Sequence, residues 1–438
     1  SAVCARVVPC CVDAEITEIA TIAVDKMNTD RISHGMATLK LVQIVHATKQ
    51  QVSGRLFRLQ ILFKQTNYKN SNSECDNDSS SSPIYSFFIL RKSTSVIDIR
   101  YEEIASFADV PGGRWRLLSG NFMPKIGFQC SPSWGELEAE QWILIAFEAG
   151  FRLFDLTFFS HNRGQISKAI KKYLPWFGLS RTDVFISAKI NIVRPQTVEQ
   201  LFIATRDIDK SKFRSVSDYA HFCVAQCVEQ FDGYIDLSLK HVSKNREDRA
   251  AVYGVLEHYF DIGIIRSIGT ANFEADHVEH LVRDGHRMPA VVQCEMHPFL
   301  QREDLLDYCK SKGIFCSIFA YKDQTPSHAA QLKRYALLKR VSSLYQISTS
   351  QLSLRYIMQC SPQVGAVVVE QPDDLYAELT RVMLYRKLRD VLTNLVHSVD
   401  NNNNNNIQLG AKHMFTMKGL DLGKFGGRFT ECEQWKVL

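Results

Sequence analysis

With 438 residues, 45% of them hydrophobic and 23% charged, the chain has the composition of a globular protein large enough for two domains. Its formal charge of +5 is small for this length and no dense Lys/Arg block occurs, which argues against nucleic acid as a partner. No apolar run of ~18 residues is present, so the sequence predicts no segment that spans a membrane.

The cysteines fall into two groups, and the N-terminal group suggests an oxidising compartment. Cys4, Cys10 and Cys11 cluster, and Cys75 lies in a polar stretch beside Asn77-Asp78-Ser79, an acceptor triplet for glycosylation at Asn77. The numbering also begins at a serine, as it would after removal of a signal peptide. We therefore expect a secreted glycoprotein with a few disulfides. The sequence leaves open which cysteines pair and whether the protein forms homo- or hetero-oligomers. The other group lies in apolar, core-like runs and comprises Cys223, Cys227, Cys294, Cys309, Cys316 and Cys360.

The first hundred residues predict one helix followed by an antiparallel meander. Residues 13–28 have apolar side chains at helical spacing, with Asp13 as a cap. Alternating or β-rich segments then predict strands at 38–50, 55–66, 84–91 and 95–101. A single helix with such a sheet is an α+β module.

The turn between the first two of these strands reads Gln50-Gln51-Val52-Ser53-Gly54. It resembles the Gln-x-Val-x-Gly loop of the cystatins, which also carry one helix before two long strands. The resemblance implies a cystatin-like domain over residues 1–106 whose loop (Gln50, Val52, Gly54) enters the cleft of papain-like cysteine proteases. A glycine just before the helix and a second hairpin with Pro-Trp, both typical of inhibitory cystatins, are missing. A plain hairpin turn is therefore the alternative.

After a polar loop at 67–83 and a linker ending Val110-Pro111-Gly112-Gly113, strands and helices alternate. Eight strands with helices between them predict a (β/α)₈ barrel over 113–438, whose chemistry lies at the carboxyl ends of the strands. The asparagine run at 401–406 is a low-complexity insertion. The predicted strands are 123–128, 151–155, 184–189, 234–239, 264–269, 290–295, 314–320 and 364–369.

The barrel is organised around residues 150–170, where an apolar run ends on Asp155. Gly150, Phe151, Arg152 and Asp155 match the aldo-keto reductase pattern Gly-Tyr-Arg-x-x-Asp-Thr-Ala-x-x-Tyr-x-Asn-Glu. Further landmarks follow in the order of that family, and the resemblance covers about 113–438. They are Met123-Pro124, Lys189, His241, Ile268-Gly269, Asn272-Phe273, Gln293-x-Glu295-x-His297-Pro298, Ala320-Tyr321, Gln351-Leu352-x-Leu354-Arg355-Tyr356 and Gly427-Arg428-Phe429.

The resemblance implies a catalytic tetrad of Asp, Tyr, Lys and His that reduces carbonyls with a nicotinamide. Asp155, Lys189 and His241 occupy three of these positions, but the tyrosine position is Ser160. An aliphatic alcohol is a far weaker acid than a phenol of reference pKa ~10, and serine holds its oxygen several ångströms nearer the backbone. His241 and His161 are the alternative donors.

The implied cofactor site is mixed. Asn272, Gln293 and Tyr321 match the positions that hold and stack on the nicotinamide, whereas Ala271 replaces a serine. Acidic Glu370, Asp373 and Asp374 follow the last strand where a 2′-phosphate needs cations. We therefore expect neither a resident cofactor nor a metal. The acidic residues disfavour NADPH, whereas binding of NADH remains an alternative.

The sequence thus favours a secreted, non-catalytic protein built from a cystatin-like module and a degenerate reductase barrel, with an apolar small molecule as candidate ligand. Two alternatives remain open: a carbonyl reductase dependent on NAD(P)H with an unusual proton donor, and a cysteine-protease inhibitor acting through 50–54.

Overall fold

The structure is a computed structural model. It describes residues 8–9, 12–33, 38–52, 54–65, 84–92, 95–103, 107, 110–132, 134–157, 162–190, 215–243, 245–319, 329–368, 389–390, 393–394 and 408–422. The Cα positions divide into two compact units, residues 1–108 with 120–122 and residues 109–119 with 123–438. None of the described helices is both long and apolar enough to cross a membrane.

The first unit is one helix and a five-stranded antiparallel sheet; the sequence predicts the helix and four of these strands, and the short strand before the helix is additional. Helix α1 (Ala14–Ser33) begins where Asp13 Oδ1 accepts a hydrogen bond of 2.9 Å from the Ile16 N–H, and it extends beyond the predicted end at 28. Its apolar face packs with alternating residues of the sheet into one core. The strands, hydrogen-bonded in sequence order, are β1 (Val8–Pro9), β2 (Leu39–Val52), β3 (Gly54–Gln65), β4 (Ile84–Lys92) and β5 (Ser95–Glu103).

The Gln-x-Val-x-Gly segment forms the tip of the β2–β3 hairpin. The strands pair from Leu39 with Gln65 up to Val52 with Gly54, and Ser53 lies outside the described residues. The described side chains do not include those of Gln50 and Val52. The likeness to cystatins therefore stays a prediction.

The second unit contains a closed barrel of eight parallel strands, which confirms the predicted (β/α)₈ architecture. It follows a two-stranded sheet of β6 (Arg114–Arg116) and β7 (Phe122–Pro124). In the barrel the last strand pairs with the first, so no edge remains. The barrel strands are β8 (Ile126–Gln129), β9 (Leu153–Thr157), β10 (Phe185–Ile190), β11 (Leu237–His241), β12 (Ile268–Ala271), β13 (Val291–Glu295), β14 (Phe315–Phe319) and β15 (Val364–Val368).

Helices cover the outside of the barrel, so its strands are buried on both faces. They are α2 (Glu136–Glu148), α3 (Arg163–Tyr173), α4 (Val216–Gln230), α5 (Arg246–Asp261), α6 (Ala275–Arg283), α7 (Glu303–Lys312), α8 (Ala329–Tyr345), α9 (Thr349–Cys360) and α10 (Ala411–Lys418).

Inside the barrel, close strand contacts require glycine at particular positions. A Cβ atom at Gly269 would lie 2.5 Å from the Val291 carbonyl oxygen and 2.7 Å from Leu239 Cδ2. Both distances are far below van der Waals contact, so packing alone accounts for this glycine landmark.

Candidate active site

A buried ion pair lies at the carboxyl ends of β9 and β10. The two strands are neighbours, with Ser187 opposite Asp155 and Lys189 opposite Thr157. Because side chains alternate along a strand, Lys189 lies on the same face as Ser187 and reaches the carboxylate. Its Nζ donates to Asp155 Oδ2, and Asp155 is fully buried while Lys189 keeps 9% of its surface exposed.

Two neutral side chains complete the polar shell of this pair. Ser187 Oγ donates to Asp155 Oδ1 at 2.8 Å. Gln293, the third residue of β13, accepts from Lys189 Nζ through Oε1 at 3.0 Å and faces Asp155 Oδ1 with Nε2 at 3.4 Å. The charges therefore retain hydrogen-bond partners after removal from water, as burial of an ion pair requires.

His241 ends β11, and its two neighbours fix the tautomer. The ring Nδ1 lies 3.1 Å from the carbonyl oxygen of Val242, which can only accept, so Nδ1 carries the proton and donates it. Nε2 then accepts from Asn272 Nδ2 at 2.9 Å. Burial, followed by the positive charge of Lys240, lowers the pKa of His241 to about 4. The imidazole is therefore neutral at physiological pH.

Asn272 is turned back toward His241 by a left-handed backbone at the end of β12. Its φ is +59°, a conformation that asparagine adopts more readily than most residues, and its N–H donates to Gln293 O at 2.7 Å. The side-chain Oδ1 is buried and has no donor among the described residues. An amide N–H of a bound molecule would satisfy it. This acceptor oxygen thus fits the carboxamide N–H of a nicotinamide.

A second acceptor oxygen of this kind belongs to Gln129, the last residue of β8. Gln129 pairs with Asp155, so it lies at the same level of the barrel. Its Oε1 is buried without a donor in the described part of the chain. Two buried acceptors without a donor in the described part of the chain therefore lie at the carboxyl end of the barrel.

A comparison with models of protein families identifies the family of this chain. The model for the aldo/keto reductase family matches residues 136–383, more than half of the chain. The chain belongs to the aldo/keto reductase family.

Several relatives of this chain are named as oxidoreductases. An uncharacterised oxidoreductase of Schizosaccharomyces pombe is 30% identical over 219 residues, 50% of this chain and 70% of the relative. The NADPH-dependent aldose reductase of Saccharomyces cerevisiae is 27% identical over 266 residues, 56% of this chain and 80% of its own length. Among solved structures, a Bombyx mori aldo-keto reductase in complex with NADP has a TM-score of 0.55 at 17% identity, covers 75% of this chain and 97% of its own, and shows the fold alone.

Two expectations drawn from the sequence are therefore wrong. The reductase-named relatives and the family match contradict a non-catalytic binding protein. The family match and the NADPH-dependent relative contradict the expectation that the barrel takes no cofactor and disfavours NADPH. The substitution of serine for tyrosine at position 160 led to the first error, and the acidic residues at 370–374 led to the second.

The structure brings together five of the predicted site residues: Asp155, Lys189, His241, Asn272 and Gln293. The other predicted positions lie outside the described residues, so their placement stays a prediction. They are Ser160, His161, Tyr321, Glu370, Asp373, Asp374 and, in the first unit, Asn77.

Three further residues of the site were missed from the sequence. Ser187 could have been found from the two-residue period that puts it beside Lys189. Asn162 stands at the asparagine of the family pattern, and its Nδ2 donates to the carbonyls of Ser131 at 3.0 Å and Trp134 at 2.9 Å. It thereby ties the loop after β8 to the start of α3. Lys240 is fully buried, gave no sequence signal, and has its Nζ bonded to the carbonyl of His241.

Proposed function

We propose that the barrel is an NADP(H)-dependent reductase of aldehydes or ketones whose proton donor is not a tyrosine at position 160. The observation that carries this proposal is the assembly of Asp155, Lys189, His241 and Asn272 at the carboxyl ends of neighbouring strands. Three of these residues occupy family tetrad positions and the fourth occupies a cofactor position. Family membership and the NADPH-dependent relative support the choice of cofactor.

The residues have separate roles in this proposal. The Oδ1 of Asn272, which has no donor among the described residues, would accept from the carboxamide and so fix the nicotinamide ring. When bound, the reduced cofactor supplies a hydride. Asp155 and Gln293 hold the Lys189 ammonium, and neutral His241 lines the position of the carbonyl oxygen.

Cofactor binding and turnover test the proposal directly. All five tryptophans lie at or after Trp115, so their fluorescence reports on the barrel. We expect NADPH to quench this fluorescence at micromolar concentrations and to be oxidised on addition of benzaldehyde or glyceraldehyde. Asn272→Leu should weaken NADPH binding roughly tenfold through loss of one buried hydrogen bond. Absence of both quenching and turnover with a panel of aldehydes and ketones would refute the function.

A second candidate, protease inhibition, concerns the N-terminal module alone. It is supported by the long β2–β3 hairpin, which pairs without interruption from Gln50 to Gly54 and ends at the position of the Gln-x-Val-x-Gly motif. In this proposal the hairpin tip enters the cleft of a papain-like cysteine protease. Titration of papain with the protein tests it. Val52→Asp should abolish inhibition, whereas Thr21→Asp on the exposed face of α1 should not. No inhibition at micromolar protein ends this candidate.

Secretion, glycosylation and oligomerisation stay predictions.

A further inference from the structure

Carbonyl reduction at this site requires an acid, and the described residues offer few. The carbonyl oxygen must receive a proton as the hydride reaches the carbon. Position 160 is a serine, whose hydroxyl is too weak an acid and too short to replace a phenol. The following inference rests on the proposed function and asks which group supplies that proton.

His241 does not supply it. Its only proton at neutral pH is on Nδ1, and that N–H is donated to the Val242 carbonyl. Nε2, the other nitrogen, accepts from Asn272 and carries no proton. The low pKa of His241, about 4, means that the imidazolium form is rare at neutral pH. The histidine therefore has no proton free to transfer.

Cys130 does not supply it either. This residue follows β8, and its N–H donates to Asp155 O at 2.9 Å, so it belongs to the same end of the barrel. Burial, followed by the negative charge of Asp155, raises the pKa of the Cys130 thiol well above its ordinary value. The thiol is thus an even weaker acid than usual.

Lys189 has an ammonium proton that is available for transfer, and its side chain is partly accessible. An ammonium carries three N–H groups, of which one is donated to Asp155 and one to Gln293. The third has no acceptor among the described residues. The side chain of Lys189 is 11% exposed while that of Asp155 is 0% exposed, so of the two partners only the lysine is accessible from outside the protein. A positioned lysine is among the side chains that can act as general acids.

We propose that Lys189 is the general acid of this reductase and donates its third proton directly to the carbonyl oxygen of the substrate. The C=O π bond breaks, a C–H bond forms with the hydride and an O–H bond forms with the proton from Nζ. The carbonyl compound is reduced to an alcohol and the nicotinamide is oxidised. Lys189 is left as a neutral amine and regains a proton from solvent. Asp155 and Gln293 act as positioning residues that hold Nζ during the transfer.

Chemical rescue separates proton donation from a role of the charge alone. Lys189→Ala should bind NADPH within about threefold of the unmodified protein and lose at least a hundredfold in turnover, the scale of general acid catalysis. Added methylammonium should restore part of the rate, and stronger alkylammonium acids should restore more. Tetramethylammonium has the same charge but no N–H, and it should restore nothing. Lys125→Ala, which removes a lysine just before β8 at the opposite end of the barrel, should keep full activity and show no response.

A measurement without cofactor tests whether the amine is reachable. Formaldehyde with cyanoborohydride should alkylate Lys189 in the unloaded protein, and peptide mass mapping should find Lys240, which is 0% exposed, unmodified. Since Lys189→Ala leaves Asp155 without a partner, the double variant Asp155→Asn, Lys189→Met provides a second test with no stranded charge. It should fold, bind NADPH and remain inactive.

The outcomes distinguish the inference from the function on which it rests. If the unmodified protein neither binds NADPH nor reduces any carbonyl, the proposed function fails. If the protein is active and Lys189→Ala or the double variant is equally active, the function stands and the assignment of Lys189 is wrong. Rescue by tetramethylammonium, or no alkylation of Lys189, would also overturn the assignment.

Discussion

Replacement of Lys240 by methionine should stabilise the barrel. Lys240 is fully buried in β11, and its Nζ donates to the carbonyl of His241. Burial lowers the pKa of Lys240 from 10.5 to about 7; the Asp248 carboxylate opposes this change and the Arg249 charge adds to it. Methionine has a similar length and no charge, so Lys240→Met removes the cost of burying an ammonium while it keeps most of the packing.

The magnitude follows from the change in pKa. From 10.5 to about 7, at ~1.4 kcal/mol for each pKa unit, burial of the charged form costs up to roughly 5 kcal/mol. The variant loses one hydrogen bond of about 1 kcal/mol. We therefore expect Lys240→Met to raise the free energy of unfolding by about 2–4 kcal/mol at pH 6.

The sign of the pH dependence is also fixed. Below pH 7 the amine is protonated in both the folded and the unfolded chain, and the folded state carries the whole cost. Between pH 7 and 10.5 the folded chain releases the proton while the unfolded chain keeps it, so the stability of the native sequence rises with pH. The advantage of the variant should therefore shrink from pH 6 to pH 9.5.

Urea unfolding followed by tryptophan fluorescence measures this in the second unit, to which all five tryptophans belong. Lys412→Met, at an exposed lysine of α10, is the control and should change stability by less than ~0.5 kcal/mol at either pH. The reasoning would be refuted if the Lys240→Met variant were less stable than the native sequence. It would also be refuted if the variant were more stable by the same amount at both pH values.

Three further substitutions test the described site. The pKa of His241 is about 4 in the folded chain and 6.5 in the unfolded chain. The free energy of unfolding should therefore fall by roughly 3 kcal/mol as the pH drops from 6.5 to 4. His241→Asn should flatten this part of the pH profile. Asp155→Asn strands the ammonium of Lys189 and should cost ~3–5 kcal/mol in urea unfolding, much of it recovered when Lys189→Met is added. Asn162→Ala removes two hydrogen bonds to loop carbonyls and should cost ~1–3 kcal/mol, with a red shift of the emission of Trp134. Unchanged stability in any of the three would contradict the corresponding hydrogen bond or ion pair.

The barrel could be predicted from the sequence because its strands are buried on both faces. Such strands appear as continuous apolar runs, as in Val364–Val368, and the intervening helices repeat at regular intervals. The ends of elements were less exact. Helix α1 continues to Ser33 because an aliphatic face persists to Met27 and no proline or glycine ends it at 28.

The site could be predicted only where a strand end and the family pattern coincide. Asp155, Lys189 and His241 satisfy both conditions, and the structure places them at one end of the barrel. Lys240 satisfies neither, because a lysine in a strand normally indicates a solvated face, and its burial depends on helix α5 packing from outside. The expectation of a non-catalytic barrel was wrong because it gave the serine at position 160 more weight than the three tetrad positions that the chain retains.

The energetics of the Asp155–Lys189 pair bear on why charges occupy this position at all. A buried ion pair is seldom more stabilising than apolar residues of the same volume, since desolvation of two charges offsets their attraction. Asp155 has 0% of its side chain exposed and Lys189 has 11%, so both bear most of this cost. Stability alone would therefore be served as well by two hydrophobic side chains between β9 and β10. Two hydrophobic side chains would not serve a reaction that needs a proton at the end of the barrel, because an aliphatic side chain has no proton to donate. The pair is thus better explained by the chemistry it permits than by the fold it supports.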